Sequence, residues 1–319
     1  MPTWLNEADV RELLSPTALI AAMEEALAAY SGGRVTQPVR TVLQCGERSF
    51  FASMPVSMPE VGALGAKLVT IFPGNAALGK PTHLASIAML DPATGELLAL
   101  MDGRYITEVR TAAVSAVSLR YLARPEAKRL ALLGSGVQAR SHLEFLRRIH
   151  PFEEVRCWSP HPDRRRVFAE SLESVLPSES AREAVEGADV VVLATASQVP
   201  VIESAWVRPG THVIAVGACV KGAREMDSDL VARARLIVDS RAAALKEADD
   251  VTIPIGEGRF GEDHIAAELG EVISGARRGR TCAEEVTVFK SLGLAVEDIA
   301  AAQLVYREAV RLGRGLLLR

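Results

Sequence analysis

Apolar positions along the chain change their spacing several times, and each change marks a new element. Between residues 16 and 31, Leu19, Met23, Ala26, Leu27 and Tyr30 keep helical spacing; Ser15 stands as N-cap, Pro16 at the first helical position, and Gly32-Gly33 ends the run. Asn6, with Asp9 three residues on, predicts a shorter helix before it. From Pro38 the period becomes two. RTVLQ (40–44), RSFFASMPV (48–56), GALGAKLVTIF (62–72), THLASIAML (82–90) and ELLALMD (96–102) read as strands, the last two forming an antiparallel hairpin. A strand-rich first domain therefore runs to about Asp102. Residues 103–123 are Ala- and Ser-rich and read as a helix capped by Asp102. Beyond Arg124-Pro125, the short apolar runs RLALLG, EVRCWS, ADVVVLATA, HVIAVG and RLIVDS alternate with helical stretches. Continuous apolar strands between helices are the pattern of a parallel sheet buried on both faces. EEVTVFKSLG then leads into a long amphipathic helix from Leu294 to Gly313. The fold class is α/β, a Rossmann-type doubly wound sheet beside a strand-rich α+β domain.

Composition narrows the function. The chain has 319 residues, enough for two domains. Lys plus Arg number 36 against 40 for Asp plus Glu, a net charge of −4, and aromatics are only 5%. That balance argues against a dedicated nucleic-acid binder. No apolar run reaches bilayer-spanning length, and acids precede any apolar stretch in MPTWLNEADVRELL, the wrong order for a signal peptide. Cys45, Cys157, Cys219 and Cys282 lie far apart without a CxxC pair, so reduced thiols in the cytoplasm are expected. GxSxG, P-loop and HExxH motifs are missing, and no carboxylate cluster calls for a metal.

Gly134-Ser135-Gly136-Val137-Gln138-Ala139 follows strand RLALL and opens helix VQARSHLEFLRRI. This is G-x-G-x-x-A in a strand–turn–helix setting, the arrangement that binds a dinucleotide. Gly134 permits the tight turn, Gly136 lets backbone approach a pyrophosphate, and Ala139 lets the helix pack close to the strand. Unpaired amides at the helix start attract the phosphates. An acid after the second strand would accept hydrogen bonds from a ribose 2′-hydroxyl. Here that position holds Ser159, Pro160 and His161, with Arg164 close behind, which favours NADP(H) over NAD(H). The alternative is that Arg164 to Arg166 form a solvated helical turn.

Ligands of such sheets bind beyond the carboxyl ends of the strands. Thr195, Ala196, Ser197 and Val216 occupy those positions, as do Glu225 and Asp227 further on. Asp227 either exchanges a proton with a substrate nitrogen or caps the helix SDLVARA. Lys67 sits in an alternating strand and by pattern alone faces solvent. Arg40 and Arg110 are of the type that pairs a carboxylate, unless they are surface residues. A lone histidine such as His83 is usually structural.

The stretches GAKLVTIFPGN (65–75), GKPTH (79–83), TGELLALMDGRYIT (94–107), VRTAAVSAVSLRYLA (109–123), GSGVQA, SAWVRPGTHVIAVGA (204–218), REMDSDL (224–230) and VTVFKSLGLAVEDIAAA (286–302) resemble the ornithine cyclodeaminase/mu-crystallin family. The resemblance covers about residues 40–310. It implies a substrate-binding and dimerisation domain made of 1–112 with 297–319, and a dinucleotide-binding domain over 113–296. It also implies that Arg40 and Arg110 hold a substrate carboxylate and that Lys67 lies beside the reacting carbon. Asp227 would be the acid/base at nitrogen, and Thr111 would lie near the cofactor phosphates. His83, Glu225 and Ser291 would line the nicotinamide end. The leading expectation is an NAD(P)H-dependent reductase of a small cyclic imino acid, acting as a homodimer. The alternatives are an NAD-dependent cyclodeaminase or alanine dehydrogenase, and a crystallin-like protein that binds NADPH and a small ligand without turnover.

Overall fold

The computed structural model describes residues 1–47 and 49–318; Arg48, the expected start of the second long strand, and Arg319 lie outside the described residues. The chain divides into two units, Met1–Arg110 with Leu294–Arg319, and Thr111–Gly293.

Unit 1 is built on strands β1 (Thr3–Leu5), β2 (Thr41–Gly46), β3 (Ser49–Met58), β4 (Ala63–Ile71), β5 (His83–Leu90) and β6 (Leu97–Asp102). With a short C-terminal strand, Leu316–Leu317, they form one seven-stranded sheet, ordered C-terminal strand, β1, β6, β5, β4, β3, β2. From β6 to β2 every pairing is antiparallel, including the expected β5–β6 hairpin. The strands β1 and Leu316–Leu317 were not legible, because three and two residues carry no period and gain their hydrogen bonds only from distant partners. Helix α1 (Glu7–Leu13) begins with the Asn6/Asp9 capping box, and α2 (Pro16–Ser31) with Ser15 as cap.

Alternation sorts the sheet into two faces. Met54, Val56, Ile87, Met89, Ala99 and Met101 point into the core, where a fully buried side chain of this size contributes about 1.5–3 kcal/mol. The long C-terminal helix Ala295–Leu312 packs against β3, β4, β5 and α2. On the opposite face Leu43, Leu68 and Leu84 are exposed.

In unit 2 the strands are β7 (Arg129–Leu133), β8 (Glu154–Trp158), β9 (Val175–Pro177), β10 (Val190–Leu193), β11 (His212–Ala215), β12 (Arg235–Val238), β13 (Ile265–Glu268) and β14 (Thr287–Lys290). All pairings are parallel, in the order β13-β12-β14-β11-β10-β7-β8-β9. Strand order reverses between β7 and β10, the switch point beyond whose strand carboxyl ends doubly wound sheets bind their ligands. Helix α3 (Arg104–Leu122) carries the chain from unit 1 into unit 2, and α4 (Val137–Ile149) and α5 (Pro162–Glu170) follow β7 and β8. Among the described residues no helix is long and apolar enough to cross a membrane, and no group of His, Cys, Asp or Glu is placed to hold a metal ion.

Candidate active site

Unit 2 carries the dinucleotide features at its switch point. Gly134 ends β7 with φ +126°, and a Cβ there would collide with the Ala194 carbonyl after β10, so glycine is required by both conformation and space. Gly136 is the N-cap of α4, offers no side-chain cap, and a Cβ on it would meet no protein atom within 4 Å. Packing inside the protein therefore does not demand glycine there, whereas a close-lying pyrophosphate would. Val137 is exposed at the first turn, the buried Gln138 Oε1 has no protein donor, and Ala139 is fully buried against the sheet. These residues fit a dinucleotide.

At the end of β8, Ser135 Oγ donates to Ser159 Oγ at 3.1 Å, and the Ser159 hydroxyl faces the His161 carbonyl at 3.4 Å. Pro160, His161 and Arg164 are exposed around it. Arg165 is buried instead, bound to Glu179 Oε2 at 2.9 Å, so the basic run is only partly a solvated turn. Thr195 and Ser197 form a turn after β10, with Ala196 exposed between them, and Val216 is nearly buried after β11. Thr111 is half-buried on α3.

Glu225 is fully buried, and its two oxygens accept hydrogen bonds from Thr195 N and Oγ1 and from Gly217 and Ala218 N. Burial raises its pKa, against the opposing pull of Lys290. Ser291 Oγ donates to the buried Asp239 at 3.1 Å. The structure places Asp227 in the capping role: Oδ1 accepts from Leu230 N at 2.9 Å and Oδ2 from Ser204 N at 3.0 Å. With both oxygens held by backbone amides of unit 2, the acid/base expectation for Asp227 gives way to the helix cap.

Unit 1 holds the other cluster. Lys67 does not face solvent. It is 2% exposed, on the inner face of β4 between Met54 and Ile87, and its Nζ lies 2.5 Å from Asp298 Oδ2. Gly65, two residues earlier on the same face, allows this: a Cβ there would press on Ile299 of the C-terminal helix at 2.8 Å. Arg110, also buried, donates Nε to Asp298 Oδ1 at 3.0 Å and Nη1 to Glu297 Oε2 at 2.6 Å. Burial, opposed mainly by Asp298, lowers the Lys67 pKa to about 8, and the charges of Arg110 and Arg40 push the same way. The half-buried Arg40 thus belongs to this neighbourhood. His83, exposed at the start of β5, is shifted below its ordinary value by partial desolvation and by Lys67. Lys67, Arg110, Arg40 and His83 are thus brought together, as the pattern alone did not require.

Glu297 and Asp298 escaped the sequence reading, although a signal existed. Asp298, Ala302, Val305 and Ala309 share one buried stripe of the C-terminal helix. A carboxylate on such a stripe needs a buried cationic partner.

Comparison with known proteins agrees with this geometry. The model of the ornithine cyclodeaminase/mu-crystallin family matches residues 2–312. The rat ketimine reductase mu-crystallin (Rattus norvegicus) is 45% identical over 311 residues, 96% of each chain. A Thermococcus litoralis Δ1-pyrroline-2-carboxylate reductase, solved with NADH and L-proline, superposes with a TM-score of 0.96 at 38% identity over 99% of this chain and 100% of that one. An archaeal alanine dehydrogenase dimer with bound NAD gives 0.95 at 33% identity, over 100% and 99% of the two chains. With its whole length matched and its glycine turn and buried Lys67 in place, the chain belongs to the ornithine cyclodeaminase/mu-crystallin family.

Proposed function

We propose that this chain is an NADPH-preferring imino-acid reductase that reduces the C=N bond of a small cyclic imine bearing a carboxylate, such as pyrroline- or piperideine-2-carboxylate. One observation carries the reading: unit 1 buries Lys67, with a pKa near 8, beside Arg110 and Arg40 and in ion-pair contact with Asp298. Relatives named as ketimine reductase and pyrroline-2-carboxylate reductase support it.

When bound, the dinucleotide supplies the hydride that C2 of the imine accepts. Arg40 and Arg110 attract the substrate carboxylate, and Glu297 and Asp298 fix the Arg110 plane, so orientation is set before reaction. Lys67 Nζ gives its proton to the imine nitrogen, and solvent later restores it. A pKa near 8 suits that transfer at neutral pH. Gly134 to Ala139 would hold the pyrophosphate, with Thr111 nearby. Ser159, Pro160, His161 and Arg164 would hold the adenosine ribose, where the lack of an acid and the exposed Arg164 favour a 2′-phosphate. Thr195, Ala196, Ser197 and Val216 would lie along the other half. The relatives solved with NADH and NAD support dinucleotide binding, and the 2′-phosphate preference rests on Ser159 and Arg164 alone.

The exposed Leu43, Leu68 and Leu84 on the outer face of the unit 1 sheet support a homodimer, as does the dimeric alanine dehydrogenase neighbour. Four free cysteines support a reducing, cytoplasmic setting.

The test is a panel of cyclic and linear imino acids, amino acids and ornithine, each with both nucleotides. Turnover of cyclic imino acids with NADPH is expected, and Lys67→Met should abolish it while retaining nucleotide affinity. Turnover of ornithine with NAD alone would make the protein a cyclodeaminase, and no turnover with any compound would make it a binding protein. Ser159→Asp with Arg164→Ala should move preference toward NADH; an unchanged ratio counts against the 2′-phosphate assignment.

A further inference from the structure

We propose that a buried, net-negative cluster in unit 2, formed by Glu225, Asp250 and Lys290, biases the bound dinucleotide toward its oxidised, cationic form. The inference rests on the dinucleotide reading above and adds an electrostatic role to it.

The three side chains are fully buried and joined in a ring. Glu225 Oε1 accepts from Thr195 N and Oγ1, both at 2.7 Å, and Oε2 from Gly217 N at 2.8 Å and Ala218 N at 3.0 Å. Asp250, in the helix Asp249–Gly256, accepts from Glu225 N and Met226 N at 2.9 Å through Oδ1. Its Oδ2 lies 3.1 Å from Lys290 Nζ, which also donates to the Ala218 carbonyl at 2.6 Å. Four donors converge on Glu225, and with Lys290 they favour its ionised form against burial and the Asp250 charge, which raise its pKa.

Two carboxylates against one ammonium leave a single negative charge out of water. Asp239, just past β12, adds a third carboxylate, held by Ser291 Oγ and by the amides of Leu292 and Gly293. Of the two cations on the loop after β11, Arg224 faces Met226 O, Ser228 Oγ and Glu257 instead, and Lys221 is exposed. Glu225 must offer both oxygens as acceptors to its four donors, which a glutamine could not do, yet two carboxylates share one ammonium where a second buried cation would have neutralised the cluster.

Position supplies the reason for that charge. Thr195 follows β10, Gly217 follows β11 and Lys290 ends β14, so the cluster underlies the carboxyl ends of the second half of the sheet. In doubly wound folds the first half takes the adenosine end of the dinucleotide, which leaves the nicotinamide end over the second. The nicotinamide ring is cationic when oxidised and neutral when reduced. A fixed negative charge below it stabilises the oxidised form selectively, which favours giving up the hydride to an imine.

The experiment is calorimetric titration of wild type, Glu225→Gln and Asp250→Asn with NADP+ and NADPH, and with NAD+ and NADH. In both variants the affinity for the oxidised form should fall roughly threefold to tenfold more than that for the reduced form. Equal losses for the two forms would reduce the cluster to a structural staple and overturn the inference. Should Glu225→Gln fail to melt cooperatively, Asp250→Asn carries the same comparison, because it leaves the four bonds to Glu225 in place. If wild type binds neither form of either dinucleotide, the dinucleotide reading falls as well, an outcome distinct from an unchanged ratio.

Discussion

Asp298→Asn separates an ionic role for the Lys67 cluster from a merely packed one. In the wild type, burial lowers the Lys67 pKa from 10.5 to about 8, with Asp298 as the main opposing influence. The unfolded chain therefore binds more protons than the folded one between those values, so this group makes stability rise as pH climbs from 8 to 10.5. The full swing is about 3 kcal/mol, at 1.36 kcal/mol per unit. Removing the Asp298 charge lowers the Lys67 pKa further, so at pH 7 the variant's Lys67 gives up its proton. The ionic loss is at most about 1.4 kcal/mol, what it takes to deprotonate a lysine of pKa about 8 there. At pH 9.5 Lys67 is neutral in both proteins, and the variant loses only the Arg110 Nε contact, about 1–3 kcal/mol. Urea unfolding of both proteins at pH 7 and pH 9.5 reads the difference, and titrations common to both cancel. The expected result is a deficit at pH 7 that exceeds the one at pH 9.5 by about 1 kcal/mol. An equal deficit at the two pH values would refute the buried Lys67–Asp298 ion pair.

Three further outcomes follow from the same structure. Burial, joined for His212 by the Arg280 charge, lowers the pKa of His142 to about 4 and that of His212 to about 3. Both contribute stability that is complete above pH 6.5 and is lost as pH falls, about 2 kcal/mol each by pH 5. The urea midpoint should drop accordingly between pH 7 and 5, and less in His142→Gln. Gly134→Ala should lose more than the about 1–3 kcal/mol that its left-handed backbone costs, because the added Cβ also runs into the Ala194 carbonyl. Gly136→Ala should melt like the wild type yet bind dinucleotide weakly, which calorimetry can check. Asp227→Ala should lower stability by about 1 kcal/mol as a lost cap and leave kcat per folded molecule unchanged, a result measured by melting and steady-state rates together.

Local pattern determined much of this protein. Period-two runs located β2 to β6 to within two residues, the capping signals at Asn6, Ser15 and Asp102 behaved as their chemistry requires, and continuous apolar runs located β7, β8, β10, β11 and β12. The glycine turn was legible because its requirement is backbone conformation within six consecutive residues. Tertiary structure alone decided the rest. Lys67 read as solvent-facing because alternation says which residues share a face but not which face is covered. Asp298, 231 positions later, covers it and supplies the partner that a buried ammonium needs. Asp227 and Glu225 sit two residues apart, yet one caps a helix and the other staples two loops, since the fate of a carboxylate depends on which amide donors the fold brings to it. Hydrogen bonds and ion pairs act over about 3 Å in space, and no sequence spacing measures that distance.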